Sequence, residues 1–375
     1  MARILILGGG FAGLVAAEEL AASLGTSHEI TLVAPNRMFT FYPALVHLAF
    51  GRCKASDIQF DLQAKLKELG VHFVQGEMTS VIPNRKAVEI AGEDFRGEIS
   101  YDFLVFALGR RLATEKITGF FKNSHHLLGV SPALRFGDAV RDFRKGDIIV
   151  GLCPGARLPV PVVETAFSLA KEFENEISQG SVRVKVILPE SLDAAFGGAR
   201  IHKKLETAFE KHRVNVLYDI PISEISSDKI YSTNGHEIKN DLAMLVPPFC
   251  GLSSLAPLRI TDESGFIKVD DLMQVPGLES AYAVGDNVAF SGPKLAHMAV
   301  RQARVAATNL ISEVKGQEPH ETYYHEIATI IDAGGADSIY LHYGVWDEEL
   351  FRLKKGNVWS WAKEIHSALW RSQHA

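Results

Sequence analysis

The feature that most constrains this chain lies in its first thirteen residues. Gly8, Gly10 and Gly13 stand in a GxGxxG spacing between the apolar run Arg3–Leu7 and the helical run Leu14–Leu24. Each glycine has a physical task. Gly8 permits a tight turn, Gly10 lets backbone N–H groups approach a diphosphate, and Gly13 lets the helix pack close to the strand. The helix N-terminus adds partial positive charge, which favours a bound anion. A second apolar run, Glu29–Val33, completes a strand–turn–helix–strand unit. The chain is therefore expected to open as a parallel α/β fold.

The pattern continues. Phe39–Phe50 reads as an aromatic loop, Asp61–Leu69 as a helix, and Val71–Gln75, Lys86–Ile90 and Tyr101–Ala107 as strands. A second block then alternates helix and strand: Ser131–Arg144, Asp147–Gly151, Val160–Glu174, Val182–Leu188 and Arg200–His212. The chain returns through Asp241–Val246 and Ala281–Val284 to a long helix, Leu295–Val314. At roughly 150 residues per domain, 375 residues suit two domains. The expectation is two Rossmann-like dinucleotide-binding domains: one from 1–112 with 241–316, a second from 113–240, and a C-terminal segment over 317–375.

Several function classes fall away. A formal net charge of −6 argues against nucleic acid as a partner. Three cysteines make no disulfide scaffold and fit a reducing compartment. The longest uncharged run, 242–258, is broken by Pro247, Pro248 and Pro257 and is too short for a span. Glu18 and Glu19 stand where a signal-peptide cleavage site belongs, so a cytoplasmic location is expected. The fourteen histidines show no metal-binding spacing, and no Gly-x-Ser-x-Gly elbow is present.

Two further details narrow the ligand. The position after the second strand, which normally carries a ribose-binding carboxylate, reads Ala34-Pro35-Asn36. Asn36 or backbone groups must then hold the adenosine ribose. Later, Ala281–Val284 ends in Gly285-Asp286, where a carboxylate can accept hydrogen bonds from a ribityl chain. Lys294 follows at the start of the long helix. A cation and a helix N-terminus there favour the negative charge that a flavin gains on reduction. With Tyr101–Gly109 as a third element, these features point to FAD in the first site.

The run Glu29–Asn36, the segment Gly109-Arg110-Arg111-Leu112-Ala113, Pro247-Pro248-Phe249, Gly265–Asp270 and Pro293-Lys294 together resemble the two-dinucleotide-domain flavoproteins. Within them the likeness is to the sulfide:quinone oxidoreductase and flavocytochrome c sulfide dehydrogenase branch. The resemblance implies FAD contacts from Phe11 and Ala12 in the turn and from Pro43 and Val81. It implies others from Ala107, Leu108 and Gly109, and from Leu295. It also implies a sulfur donor, a cysteine relay, and a quinone acceptor on the opposite flavin face.

The relay cysteines are missing. The relevant stretches hold Leu158, Leu127-Leu128-Gly129 and Phe290-Ser291-Gly292, and none of these side chains forms a persulfide. Cys153 and Cys250 remain as a replacement pair or as inert core thiols, while Cys53 reads as structural. Glu164 matches the resemblance as a proton-handling carboxylate or is an ordinary helix residue. A nicotinamide turn in the second unit would need more glycine than Gly151-Leu152-Cys153-Pro154-Gly155-Ala156-Arg157 offers. Pro293–Ala303 nevertheless resembles the flavin-facing helix of NADH and disulfide reductases.

At the C-terminus, Val358, Trp361, Ala362, Ile365, Ala368 and Leu369 recur at helical spacing, flanked by Trp359 and Trp370. From residue 350 onward the charge is +4. Such a stripe suits a membrane interface, the protein's own body or a second subunit in a homodimer. Trp359-Ser360-Trp361-Ala362-Lys363 resembles the start of the branch's membrane-docking helix. The expectation is a peripheral FAD-dependent oxidoreductase that passes two electrons to a quinone from a small sulfur donor or another reductant. An NADH:quinone reductase and a non-catalytic flavin-bearing electron-transfer partner remain as alternatives.

Overall fold

The computed structural model describes residues 1–93, 95–347 and 349–375. Two parallel sheets organise it. The first has the strand order Ala281–Ala283, Phe103–Phe106, Arg3–Leu7, Glu29–Ala34 and His72–Gln75, with every neighbouring pair parallel. Its central strands are buried along almost their whole length, as strands covered on both faces must be. The helix Phe11–Leu24 packs on the long helix Ala296–Val314. Small residues such as Ala12, Gly13, Ala16 and Ala17 are all buried and permit that close approach.

The second sheet runs Asn215–Leu217, Val182–Ile187, Gly146–Leu152 and Leu242–Val246, again all parallel. The chain passes between the two units twice, at Arg111–Leu112 and Phe249–Cys250, and these two short strands pair antiparallel. Both expected dinucleotide-type domains are therefore present. One boundary moves. Leu242–Val246 hydrogen-bonds to Gly146–Leu152, so the second unit extends past the expected limit at 240 to the Phe249–Cys250 crossing.

The aromatic stretch read as a loop over 39–50 holds a short strand, Met38–Thr40, and a helix, Leu45–Ala49. The C-terminal segment forms an antiparallel sheet of Glu326–Ile331, Ile339–Gly344 and Phe351–Lys355, followed by the helix Asn357–His374. Among the described residues, no helix is long and apolar enough to cross a membrane.

Candidate dinucleotide site and its surroundings

The glycine turn is built by close backbone contact. A Cβ on Gly13 would lie 1.8 Å from the Gly8 carbonyl oxygen, and one on Gly8 would lie 2.1 Å from the Ala107 carbonyl oxygen. Gly8 also has φ +115°, which side chains other than hydrogen rarely allow. These two glycines therefore serve the fold. Gly10 differs: nothing lies within 4 Å of where its Cβ would be. It is the N-cap of Phe11–Leu24, and no side chain caps that helix. The first-turn N–H groups of Phe11, Ala12 and Gly13 have no intrahelical partners, and the space beside Gly10 is open. The arrangement fits a diphosphate.

The end of the first sheet supplies the second half of the site. Asn287, which the sequence pattern does not single out, ties two strand ends together. Its Oδ1 accepts the Gly109 N–H at 3.3 Å, and its Nδ2 donates to the Phe106 carbonyl at 3.2 Å. Gln302 Oε1 accepts the Gly285 N–H at 2.7 Å. These bonds set the position of Asp286, which pairs with Arg110. Arg110 lies 4.2 Å over the Phe249 ring, and its Nε is buried with no partner among the described residues.

Lys294 is 6% exposed. Its Nζ donates to the Val288 carbonyl and lies 4.7 Å over the Phe266 ring. Burial pushes the ammonium down to about 7; Arg157 pushes the same way and Asp286 opposes. Arg157 comes from the second unit. It donates through Nε to the Gly292 carbonyl at 2.7 Å and through its guanidinium to the Phe290 carbonyl, while its own carbonyl accepts the Lys294 N–H at 2.7 Å. Three cations thus converge near Asp286 in a partly dry environment. An unpaired Arg110 nitrogen and a destabilised Lys294 cation both suit an added anion. On these observations the residues fit a flavin dinucleotide.

The remaining expected contacts are spread around this core. Ala107 and Leu295 are buried at the strand end and at the N-cap of Ala296–Val314, and Leu108 is half-buried. Ala34 is buried beneath the turn, and Asn36 is exposed just beyond it. Pro43 is half-buried in the turn Tyr42–Ala44. Val81 lies in a separate antiparallel sheet, on the strand Glu77–Ile82.

Glu164 is buried, and its Oε1 accepts the Asp332 N–H at 2.7 Å and pairs with Lys363. Both donors come from the C-terminal segment, so the carboxylate ties that segment to the second unit. Cys153 is fully buried among Ile149, Ile187 and Leu245, and burial pushes its thiol strongly up. A thiol held neutral is a poor nucleophile. Cys250 sits in the crossing strand with its Sγ 3.8 Å from the Arg111 carbonyl. The two are free thiols in different surroundings, and the structure does not join them. Cys53 is half-buried, with its Sγ 3.8 Å from the Ala44 carbonyl.

The second turn also departs from a nucleotide cradle. A Cβ on Gly151 would lie 2.5 Å from Ile187 Cγ1, so this glycine serves strand packing. The next helix begins only at Pro159, and Pro159 and Pro161 remove two of the N–H groups a phosphate would use.

The C-terminal helix is held by one face. Trp370 is buried against Phe11, Phe39 and Phe41, with ring centroids 4.8, 5.4 and 5.2 Å away. His374 reaches Glu18 at 2.6 Å. On the other face, Val358, Trp361, Ile365 and Leu369 are exposed, Trp361 at 65%.

Comparison with known proteins agrees with this fold. Residues 2–141 match the family model for pyridine nucleotide-disulphide oxidoreductase. The sulfide-quinone reductase of Aquifex aeolicus is 25% identical over 335 residues, covering 84% of this chain and 77% of the relative. The oxidoreductase ptaL of Pestalotiopsis fici is 28% identical over 340 residues, covering 88% and 87%. The solved structure of the Aquifex aeolicus sulfide:quinone oxidoreductase superposes with a TM-score of 0.92 at 22% identity, covering all of this chain and 91% of that one. The chain resembles the pyridine nucleotide-disulphide oxidoreductase flavoproteins and, among them, sulfide:quinone reductase.

Proposed function

We propose that this chain, an oxidoreductase with the flavoprotein fold just described, carries FAD in its first unit and passes two electrons to a quinone. The observation that supports this most is the cluster of Arg110, Arg157 and Lys294 around Asp286, at the same sheet end as the open Gly10 turn. FAD supplies two-electron redox chemistry when bound. The turn N–H groups hold the diphosphate, and Asp286 accepts hydrogen bonds from polyol hydroxyls. Lys294, with an ammonium titrating near neutrality, supplies positive charge when its surroundings become more negative, and it releases that proton readily afterwards. Residues 1–112 with about 251–316 form the FAD unit in this reading, and 317–375 cover it.

The quinone side of the proposal rests on the C-terminal helix. One face is locked to the FAD unit by Trp370 and to the second unit by Lys363, and the other shows an exposed apolar stripe. Such a helix suits the surface of a membrane, where an apolar quinone resides. The donor does not reach FAD through Cys153, whose thiol is buried and neutral. The blocked second turn disfavours NADH.

The test is anaerobic bleaching of the FAD-loaded protein, followed by reoxidation with a short-chain ubiquinone. Sulfide is expected to bleach the flavin faster than NADH does, and the quinone is expected to restore the colour. Faster bleaching by NADH would reverse the donor order. Reduced flavin that a quinone leaves bleached would remove the acceptor from the proposal.

A further inference from the structure

The stretch from Gly285 to Lys294 carries both Asp286 and Lys294. Beyond the turn Gly285–Asn287 and an isolated bridge at Val288, it forms no helix or strand. Its path is therefore set by what its carbonyls meet. Val288 accepts Lys294 Nζ, Phe290 and Gly292 accept Arg157, and Ser291 accepts His325 Nε2 at 2.9 Å. Arg157 reaches the loop from the second unit, and His325 reaches it from the C-terminal segment.

His325 lines the same pocket as Asp286 and Lys294 and is 1% exposed. A carbonyl can only accept, so the proton of the neutral ring sits on Nε2, and Nδ1 is left as an acceptor. The Tyr323 hydroxyl supplies the matching donor at 3.1 Å. Tyr323 is itself fixed. Its ring stacks on Phe290 with centroids 5.5 Å apart and planes at 4°, and its N–H donates to the Asp271 carbonyl at 2.7 Å. Burial holds His325 below its ordinary value; the Ser291 carbonyl opposes, while Lys294 and Arg157 push the same way as burial. The ring is therefore neutral at pH 7. Both ring nitrogens are committed, so His325 serves the loop and not the transfer of a proton.

We propose that His325 is a positioning residue of the flavin site. By holding the Ser291 carbonyl it sets the path of the loop into Pro293-Lys294 and keeps the Lys294 ammonium buried against Val288. The Lys294 part stands on the geometry of the loop; the consequence for the cofactor rests on the proposed FAD function.

The charged groups facing Lys294 are Arg157, Asp286, Asp262 and Arg110, with His325 uncharged beside them. Removing His325 takes no charge away at pH 7. A changed Lys294 titration then reports movement of the loop and entry of water.

The experiment labels lysine with carbon-13 in the full chain without added cofactor. The Lys294 signal, identified by its loss in Lys294→Met, is followed by NMR from pH 6 to 10. In the parent it is expected to titrate at about 7. His325→Leu is expected to raise it by about one pH unit or more, toward the ordinary lysine value. His325→Gln, whose amide donates from nearly the place of Nε2, is expected to restore the parent value. Tyr323→Phe keeps the ring against Phe290 and removes only the hydroxyl. A smaller upward shift is expected there, and it supplies the reading should His325→Leu fail to fold. With FAD added, His325→Leu is expected to bind about tenfold more weakly than the parent, and His325→Gln within about threefold. An unchanged Lys294 titration in folded His325→Leu overturns the proposal, as does one in Tyr323→Phe where the leucine variant does not fold. So does a shift that His325→Gln leaves as large. A parent that binds no FAD removes the cofactor reading, and the lysine titration still decides the role of His325.

Discussion

The two α/β units begin alike and diverge at the turn after their leading strand. In the first, Leu7 is followed within four residues by a helix whose N-cap, Gly10, faces open space. In the second, Leu152 is followed by six residues before Pro159 starts the helix, and the glycine at the strand end is packed against Ile187. Similar folds thus offer a diphosphate different numbers of unclaimed donors. What separates them is whether the turn presents free N–H groups, because a diphosphate needs donors that no other group has claimed.

The largest effects are expected at the first turn itself. Gly13→Ala drives a methyl into the Gly8 carbonyl, where only backbone movement relieves the clash. Little folded protein is expected, as judged by circular dichroism and soluble yield. Gly10→Ala places its methyl in open space, so it is expected to fold normally and lose FAD affinity at least tenfold. Equal stability and equal affinity in the two variants would erase the distinction between a packing glycine and a binding glycine.

Lys294 provides the next largest effect. Its ammonium titrates near 7 in the fold against 10.5 in an unfolded chain. Its ionisation adds no cost of burial above pH 10.5. The cost grows as pH falls toward 7, because the unfolded chain takes up a proton that the fold refuses, and it is constant below that. At about 1.4 kcal/mol per pH unit, Lys294→Met in the apoprotein is expected to gain several kcal/mol by pH 7. The lost hydrogen bond to Val288 offsets about 1 kcal/mol of this. Thermal melts from pH 7 to 10 read the result, and an advantage that widens with rising pH would contradict the assigned charge state.

In the second turn, Gly151→Ala pushes a methyl against Ile187. A destabilisation of about 1–3 kcal/mol is expected by denaturant titration, with FAD affinity untouched. The smallest effect belongs to Cys153→Ser, for which the rate of flavin bleaching by sulfide is expected to stay within twofold of the parent. A large fall would return the buried thiol to the redox chemistry.

Much of this architecture was legible from local pattern. The Gly8–Gly13 turn, the long helix after Lys294 and the Gly285-Asp286 strand end depend on residues close in sequence, and they stand where spacing put them. The illegible parts are long-range. Nothing near Arg157 in the chain says that its guanidinium reaches the carbonyls of Phe290 and Gly292. Nothing near Glu164 says that Lys363 and Asp332 occupy it. The sheet to which Leu242–Val246 belongs is not legible locally, because an apolar strand suits either sheet, and only its register with Gly146–Leu152 decides.

Whether one flavin nucleotide occupies the first unit is decided by equilibrium titration of the apoprotein with FAD. Saturation at one FAD per chain is expected, with yellow absorbance retained through gel filtration and abolished affinity in a Gly10→Val variant that still folds. Folded parent protein that emerges colourless from the same column after saturation would contradict it.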